Sequence, residues 1–190
     1  MSDPHFFGYG SLVNTATHSY PDTRTAHLSG FRRRWRHTSL RDVAYLTVEQ
    51  APGHIIAGLI AAVPNGDWAA LDLREAAYDR LLVAPELIHH DHPHPITVEV
   101  YKTSTANDAP PSTRHPILLS YLDTVVSGYR QIFGQEGAQA FFTSTDGWDA
   151  PVLNDRAHPI YPRTTPLSRQ DRILIDSLLD DHAVQRITTR

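Results

Sequence analysis

The sequence predicts an α+β protein: a strand-rich core over residues 1–103, then a helical extension over residues 104–190 that packs on the core rather than folding alone. Three observations carry this reading. Ile96, Val98 and Val100 alternate with Thr97, Glu99 and Tyr101, the period-two pattern of a strand. Beyond Ile117 the apolar residues Leu118, Leu122, Val125, Val126, Tyr129 and Phe133 recur at the three-to-four spacing of a helix. Between the two regimes lies a polar, proline-containing connector, residues 104–114.

The elements follow in order. His5 to Tyr9 is an aromatic strand, and Gly10 to Asn14 its loop. Leu28-Ser29-Gly30-Phe31 turns into a second strand that ends in Arg32-Arg33-Arg34-Trp35-Arg36. Ala44 to Val48 is rich in β-branched and aromatic residues and forms a third strand. Pro52-Gly53 marks a turn, and the apolar run His54 to Val63 reads as a central strand buried on both faces. Asp67 is placed to N-cap a helix from Trp68 to Ala77. Arg80 to Ala84 and Ile96 to Thr103 form a strand pair. In the extension, the helix from Ile117 stops at Gly134, and a short helix covers Ala138 to Thr143. Pro151 to Thr165 is irregular, and Ser168 with Asp171 opens a last helix through Leu179.

Composition narrows the function classes. The net charge of −4 argues against nucleic acid as a partner. With no cysteine there is no disulfide, thiol nucleophile or thiolate metal site, a composition that suits the cytoplasm. Met1 to Leu12 lacks the pattern of a signal peptide, and no apolar stretch approaches the ~18 residues a membrane span needs. The oligomeric state is open.

Chemistry concentrates in two motifs. Phe6-Phe7-Gly8-Tyr9-Gly10-Ser11-Leu12 runs an aromatic strand into a glycine-rich loop whose uncovered N–H groups can form an anion nest. Ser11 lacks the glycine two places on that a nucleophile elbow carries, so it reads as a ligand contact or a turn cap, not a hydrolytic nucleophile. Tyr9 reads equally as a pocket or a core tyrosine. In the second motif, Leu71-Asp72-Leu73-Arg74-Glu75, Leu71 and Glu75 are four apart and share a helical face. Leu71 anchors that face and directs Glu75 inward or into a cleft, where burial raises a carboxyl pKa toward that of a general base. The plainer alternative is a solvated Glu75 paired with Arg74 or Arg80.

Taken in order, Tyr9-Gly10-Ser11-Leu12, Leu71-Asp72-Leu73-Arg74-Glu75, Tyr78-Asp79-Arg80 and Val100-Tyr101 resemble the gamma-glutamylcyclotransferase family over roughly residues 5–102. The resemblance implies a small mixed β-barrel with surrounding helices and a cavity near one end. It implies cyclisation of a γ-glutamyl amine or peptide to 5-oxoproline with release of the amine, and no metal or organic cofactor. By carry-over Glu75 is the general acid/base, and Phe6, Phe7, Gly8, Tyr9, Gly10, Ser11, Leu12 and Tyr101 bind the substrate. Asp72, Tyr78 and Arg80 support them. The implied partner is a small γ-glutamyl molecule, with neither nucleic acid nor membrane. One departure is Ala76, where the family often has glycine; alanine favours a helix continuing past Glu75. It keeps open a non-catalytic module that binds a small anion or γ-glutamyl group in the same pocket.

Other signals point elsewhere. His89-His90-Asp91-His92-Pro93-His94 resembles a metal tract, but Pro93 and Pro95 favour a solvated turn with adventitious nickel or zinc binding. On a strand, Arg32, Arg34 and Arg36 share one face, a surface salt-bridge strip, opposite Arg33 and Trp35. Asn154, Arg156 and Arg163 can reach an acidic substrate or, as the plainer reading, belong to a structural clasp.

Overall fold

The computed structural model describes residues 2–37, 40–104, 109, 112 and 114–188; most of the connector expected at 104–114 lies outside them. The chain runs β1 (His5–Gly8), β2 (Arg24–His37), β3 (Ala44–Ala62), α1 (Ala69–Arg74), β4 (Tyr78–Leu82), β5 (Ile88–His90), β6 (Val98–Thr103), β7 (Ile117–Leu118), α2 (Leu119–Thr143), β8 (Thr145–Asp146), β9 (Val152–Leu153), α3 (Arg169–Asp181) and β10 (Arg186–Ile187). The main sheet has the order β4-β6-β1-β3-β2-β5, and β8 adds to β2 in parallel. A small parallel sheet orders β10-β9-β7.

The α+β class expected from sequence is the class observed, but the barrel implied by the resemblance does not close. Among the described residues, edge strand β4 pairs only with β6, and β5 only with β2. Between them Pro85, which has no N–H to donate, opens a 3-10 turn that carries the chain to the opposite edge. The expected turn at Pro52-Gly53 is a bulge inside one long strand. Ser29 pairs with Ile55 and Phe31 with Gln50, so residues 51–54 loop out opposite Gly30. Burial on both faces starts later than expected: His54 and Ile55 are exposed, and the buried run begins at Ile56.

Successive side chains of β1 serve two cores. Phe7 joins the main core with Leu28, Val48, Ile60, Leu122 and Phe141, between the sheet and α2. Phe6 points the other way, into a smaller cluster with Leu71, Val63 and Tyr101 beneath α1. In the arginine run, Arg33 and Trp35 are fully buried, while Arg32 and Arg34 pair with Asp146 and Glu49 at the surface, as the alternation predicts.

The two helices expected around Gly134 are one run, α2, broken where Gly134 takes φ 70°. Glycine adopts this left-handed value without a Cβ penalty, which lets the second segment start at once. Asp155, 35 positions after Ser120, accepts the Ser120 N–H at 2.8 Å and its hydroxyl at 2.5 Å, so it caps the start of α2 from outside. Arg156 donates bidentately to Asp123 at 2.7 Å and reaches Asp176 at 2.7 Å, so the irregular segment clasps α2 to α3. Ser168 caps α3 through the Asp171 N–H, as expected. Among the described residues, no helix is long and apolar enough to cross a membrane.

Candidate functional site

A cavity opens where β1 ends. Residues 7–12 line it together with Glu75, Tyr78 and Tyr101, and with two residues the sequence did not point to, Leu46 of β3 and Tyr121 of α2. Its volume of about 30 Å³ holds one water molecule. It continues into a cleft of about 350 Å³ that shares Ser11, Leu46, Glu75, Tyr78 and Tyr121 and adds Arg41, Asp42, Tyr161 and Arg163. The two together reach the size of a small-molecule site.

Glu75 reaches this cavity from the end of its helix rather than from mid-helix. α1 stops at Arg74, and Glu75 is its C-cap, with its N–H still on the Leu71 carbonyl at 2.9 Å. The helix therefore does not continue through Ala76. Its C-terminus is set by the turn into β4, where the Tyr78 N–H returns to the Glu75 carbonyl at 2.8 Å. Leu71, fully buried, anchors the helix as the spacing predicts. The Glu75 side chain is 17% exposed, and burial raises its carboxyl pKa above the usual range, against the opposing pull of the Arg74 and Arg163 charges.

Arg74 joins both motifs. Its Nε lies 3.2 Å from Glu75 Oε1, one Nη donates to Ser11 Oγ at 3.2 Å, and the other to the Thr17 carbonyl at 2.9 Å. It thereby fixes the carboxylate relative to the glycine loop. In the sequence it stood out only as a candidate partner of Glu75.

Four tyrosines wall the cavity, and burial raises the pKa of each, so all stay protonated. Two have their hydroxyls spent on backbone: Tyr9 donates to the Tyr101 carbonyl at 2.6 Å, and Tyr78 to the Leu46 carbonyl at 2.9 Å. Tyr101 donates its own hydroxyl to Asp72 at 2.5 Å. Asp72 in turn accepts from Arg80 Nε at 3.0 Å, and Arg80 also reaches Glu99 at 2.5 Å while its guanidinium lies 4.3 Å from the Trp68 ring centre. Asp72 and Arg80 thus stand behind the wall, outside the lining. Phe6 is also outside it, on the opposite face of β1.

Tyr121 packs so closely that a Cβ on Gly10 would come within 2.6 Å of its hydroxyl oxygen, so a side chain at this position would displace the Tyr121 ring. That hydroxyl therefore sits beside Gly10, just before a short 3-10 helix, Ser11–Val13, whose leading N–H groups have no preceding carbonyl to bind. Of the three polar residues the sequence offered from the extension, Arg163 lines the cleft, Arg156 is spent on the clasp, and Asn154 caps the Arg156 N–H.

Compared with known proteins, residues 5–109 match the family described as ChaC-like protein. No curated protein matches the sequence. Among solved structures, one named gamma-glutamyl cyclotransferase is 17% identical with a TM-score of 0.57, over 92% of this chain and 99% of the other. An uncharacterized protein from Homo sapiens is 18% identical with a TM-score of 0.58, over 93% and 99%. YkqA from Bacillus subtilis is 17% identical with a TM-score of 0.58, over 73% of this chain and 52% of that protein. At these identities the likeness is one of fold.

Proposed function

The chain belongs to the ChaC-like protein family, and from that membership and the chemistry of its cavity we propose that it is a γ-glutamyl cyclotransferase with Glu75 as its general acid/base. The observation that carries this reading is a desolvated carboxyl, raised in pKa, that lines one cavity with the glycine loop at residues 8–11.

The reaction is an intramolecular aminolysis. The α-amine of the γ-glutamyl group attacks its own γ-carbonyl carbon, a C–N bond forms, and Glu75 takes the proton that the amine sheds. The tetrahedral centre collapses with cleavage of the original amide C–N bond, and Glu75 returns the proton to the departing nitrogen. The products are 5-oxoproline and the free amine, with no net change in protons or electrons. Because both reacting groups belong to one molecule, the protein's task is to hold the bent conformer, which is a matter of positioning. The N–H groups of the loop, with the Tyr121 hydroxyl beside them, receive the oxygens of the substrate's charged end or of the developing oxyanion. With all four tyrosines held neutral, Glu75 is the group in the inner cavity suited to exchange a proton near neutrality.

The leaving group then lies in the larger cleft, between Arg41 and Arg163. The guanidinium groups of Arg41 and Arg163, beyond Arg74 on its bond to Glu75, favour a leaving group with a carboxylate, an amino acid or peptide, over a simple amine. The test is 5-oxoproline release from a panel of γ-glutamyl amino acids, peptides and amines. Arg163→Ala is expected to raise KM roughly tenfold for the carboxylate-bearing substrates, the worth of one charge-assisted hydrogen bond, and to leave the KM of γ-glutamyl amines unchanged. Thermal stabilisation by γ-glutamyl ligands with no 5-oxoproline formed would instead identify a binding module.

The pH profile gives a second check. The Arg74 charge pulls the Glu75 pKa down against burial. Removing it in Arg74→Ala leaves burial less opposed, so the acid limb of kcat/KM moves to higher pH. Titration of the substrate amine is common to both proteins, so the difference between their profiles reports Glu75. An unmoved limb would show that another group carries the proton.

A further inference from the structure

Away from the cavity, at the opposite end of β1, His5 is almost wholly buried, its side chain 2% exposed. Its Nδ1 lies 3.0 Å from the Asp3 carbonyl oxygen. A carbonyl can only accept, so Nδ1 carries the proton and Nε2 presents a lone pair. That Nε2 is buried without a hydrogen-bond partner. Opposite stands His92, whose side chain is 7% exposed and whose Nδ1 lies 2.7 Å from the His94 carbonyl oxygen. That contact suits a proton on Nδ1, whereas with the proton on Nε2, toward Asp22, the same Nδ1 accepts the His94 N–H at 3.2 Å. The Nε2 of His92 also faces inward, 3.0 Å from Asp22 Oδ2, and the same oxygen lies 3.7 Å from His5 Nε2. Two imidazole nitrogens and a carboxylate oxygen therefore converge within 4.8 Å of one another, and the proton that His92 Nε2 shares with Asp22 is the one a bound cation would displace.

The geometry points to a divalent-metal site formed by His5, Asp22 and His92, which ties the start of β1 to the loop before β2 and to the connection between β5 and β6. Two imidazoles and one carboxylate suit zinc or a neighbouring late first-row ion, with the fourth position left to water. A tetrahedral ion with bonds near 2.0–2.1 Å spaces its donors about 3.3 Å apart, between the 3.0 and 3.7 Å found. The supporting shell is also present. Both histidines have their second ring nitrogen beside a backbone carbonyl, the acceptor each needs for a proton there once Nε2 binds a metal, and this orients the rings. Arg24 Nε donates to the other Asp22 oxygen at 2.9 Å and orients the carboxylate. Asp22, 38% exposed, leaves the site open to solvent for the ion to enter. Within the histidine tract the geometry thus selects one residue, His92, and recruits its partners from 70 and 87 positions away.

The test uses the full chain without an affinity tag, stripped by chelator dialysis and titrated with zinc alone while bound metal and Tm are followed. One tight equivalent is expected, with Tm raised by about 5–10 °C at free zinc 100-fold above Kd. Asp22→Asn is the cleanest variant, because Asp22 sits at φ 49°, a conformation that asparagine tolerates equally well. It keeps the fold and removes the anionic ligand. Asp22→Asn and His92→Ala should each weaken binding by at least about 10- to 100-fold and abolish the Tm rise. A His89→Ala/His94→Ala double variant, which removes neighbouring imidazoles but keeps the His94 carbonyl, should retain both. Absence of a saturable equivalent overturns the assignment, as does loss of binding in the double variant with Asp22→Asn unaffected, since that pattern describes the surface tract alone.

Discussion

Glu75→Gln is expected to lower kcat for 5-oxoproline formation by about 10²- to 10⁴-fold, the usual worth of a positioned acid/base, with substrate affinity changed only a few fold. Glutamine keeps the size and polarity of the side chain but can neither take the amine proton nor return it to the leaving nitrogen. The walls offer no substitute: the Tyr9 and Tyr78 hydroxyls are donated to backbone carbonyls and that of Tyr101 to Asp72, and burial keeps the Tyr121 hydroxyl protonated. The loop should hold its shape, because Arg74 keeps its bonds to Ser11 and Thr17 when its contact to Glu75 is lost. Binding is read by thermal shift and chemistry by single-turnover product release. Parental turnover in this variant would remove Glu75 from its role.

Arg33→Met is expected to cost about 3–5 kcal/mol of folding stability, several times the cost of a surface substitution. Arg33 is fully buried, and among the described residues its hydrogen bonds go to neutral groups. Nε donates to the Tyr9 carbonyl at 3.1 Å, Nη1 to Ser144 Oγ at 2.7 Å, and Nη2 to the Tyr129 hydroxyl at 2.6 Å and to the Ala57 carbonyl. The guanidinium also lies 4.9 Å from the Tyr129 ring centre. Methionine fills the space but leaves the Tyr9 and Ala57 carbonyls to share the single hydroxyl proton of Tyr129. One buried acceptor is then unsatisfied, and the glycine loop loses its anchor at Tyr9. Denaturant unfolding measures the loss. Arg32→Met, which breaks a half-exposed pair with Asp146, is the control and should cost about 1 kcal/mol or less.

What the sequence disclosed and what it withheld divide along one line. The Ser168 cap of α3, the alternation that buries Arg33 and exposes Arg32 and Arg34, and the anchoring of α1 by Leu71 are all written within a few residues of one another, and periodicity exposes them. Tyr121 and Leu46 in the cavity wall are different. Each reaches Gly10 and Ser11 only because α2 and β3 fold against β1 from 110 and 35 positions away, and nothing near them in the chain announces it. Arg74 was visible beside Glu75, but its hold on Ser11 spans 63 positions. The open sheet was hidden for the same reason, since closure depends on whether β4 and β5 meet, a matter of edges rather than of strands.

The placement of β8 and α2 has a consequence for how the protein is made. The sheet's inner face is covered by Leu122, Val125, Tyr129 and Phe141, and β2 gains a neighbour at Thr145, all of them late in the chain. During translation at about 5–20 residues per second, the first half of the polypeptide waits several seconds for its cover. Through that interval Phe7, Leu28, Trp35 and Ile60 have no apolar partner above them, and Arg33 lacks Tyr129 and Ser144. The apolar strands of the sheet are therefore exposed on the nascent chain until the long helix has been made and packs over them.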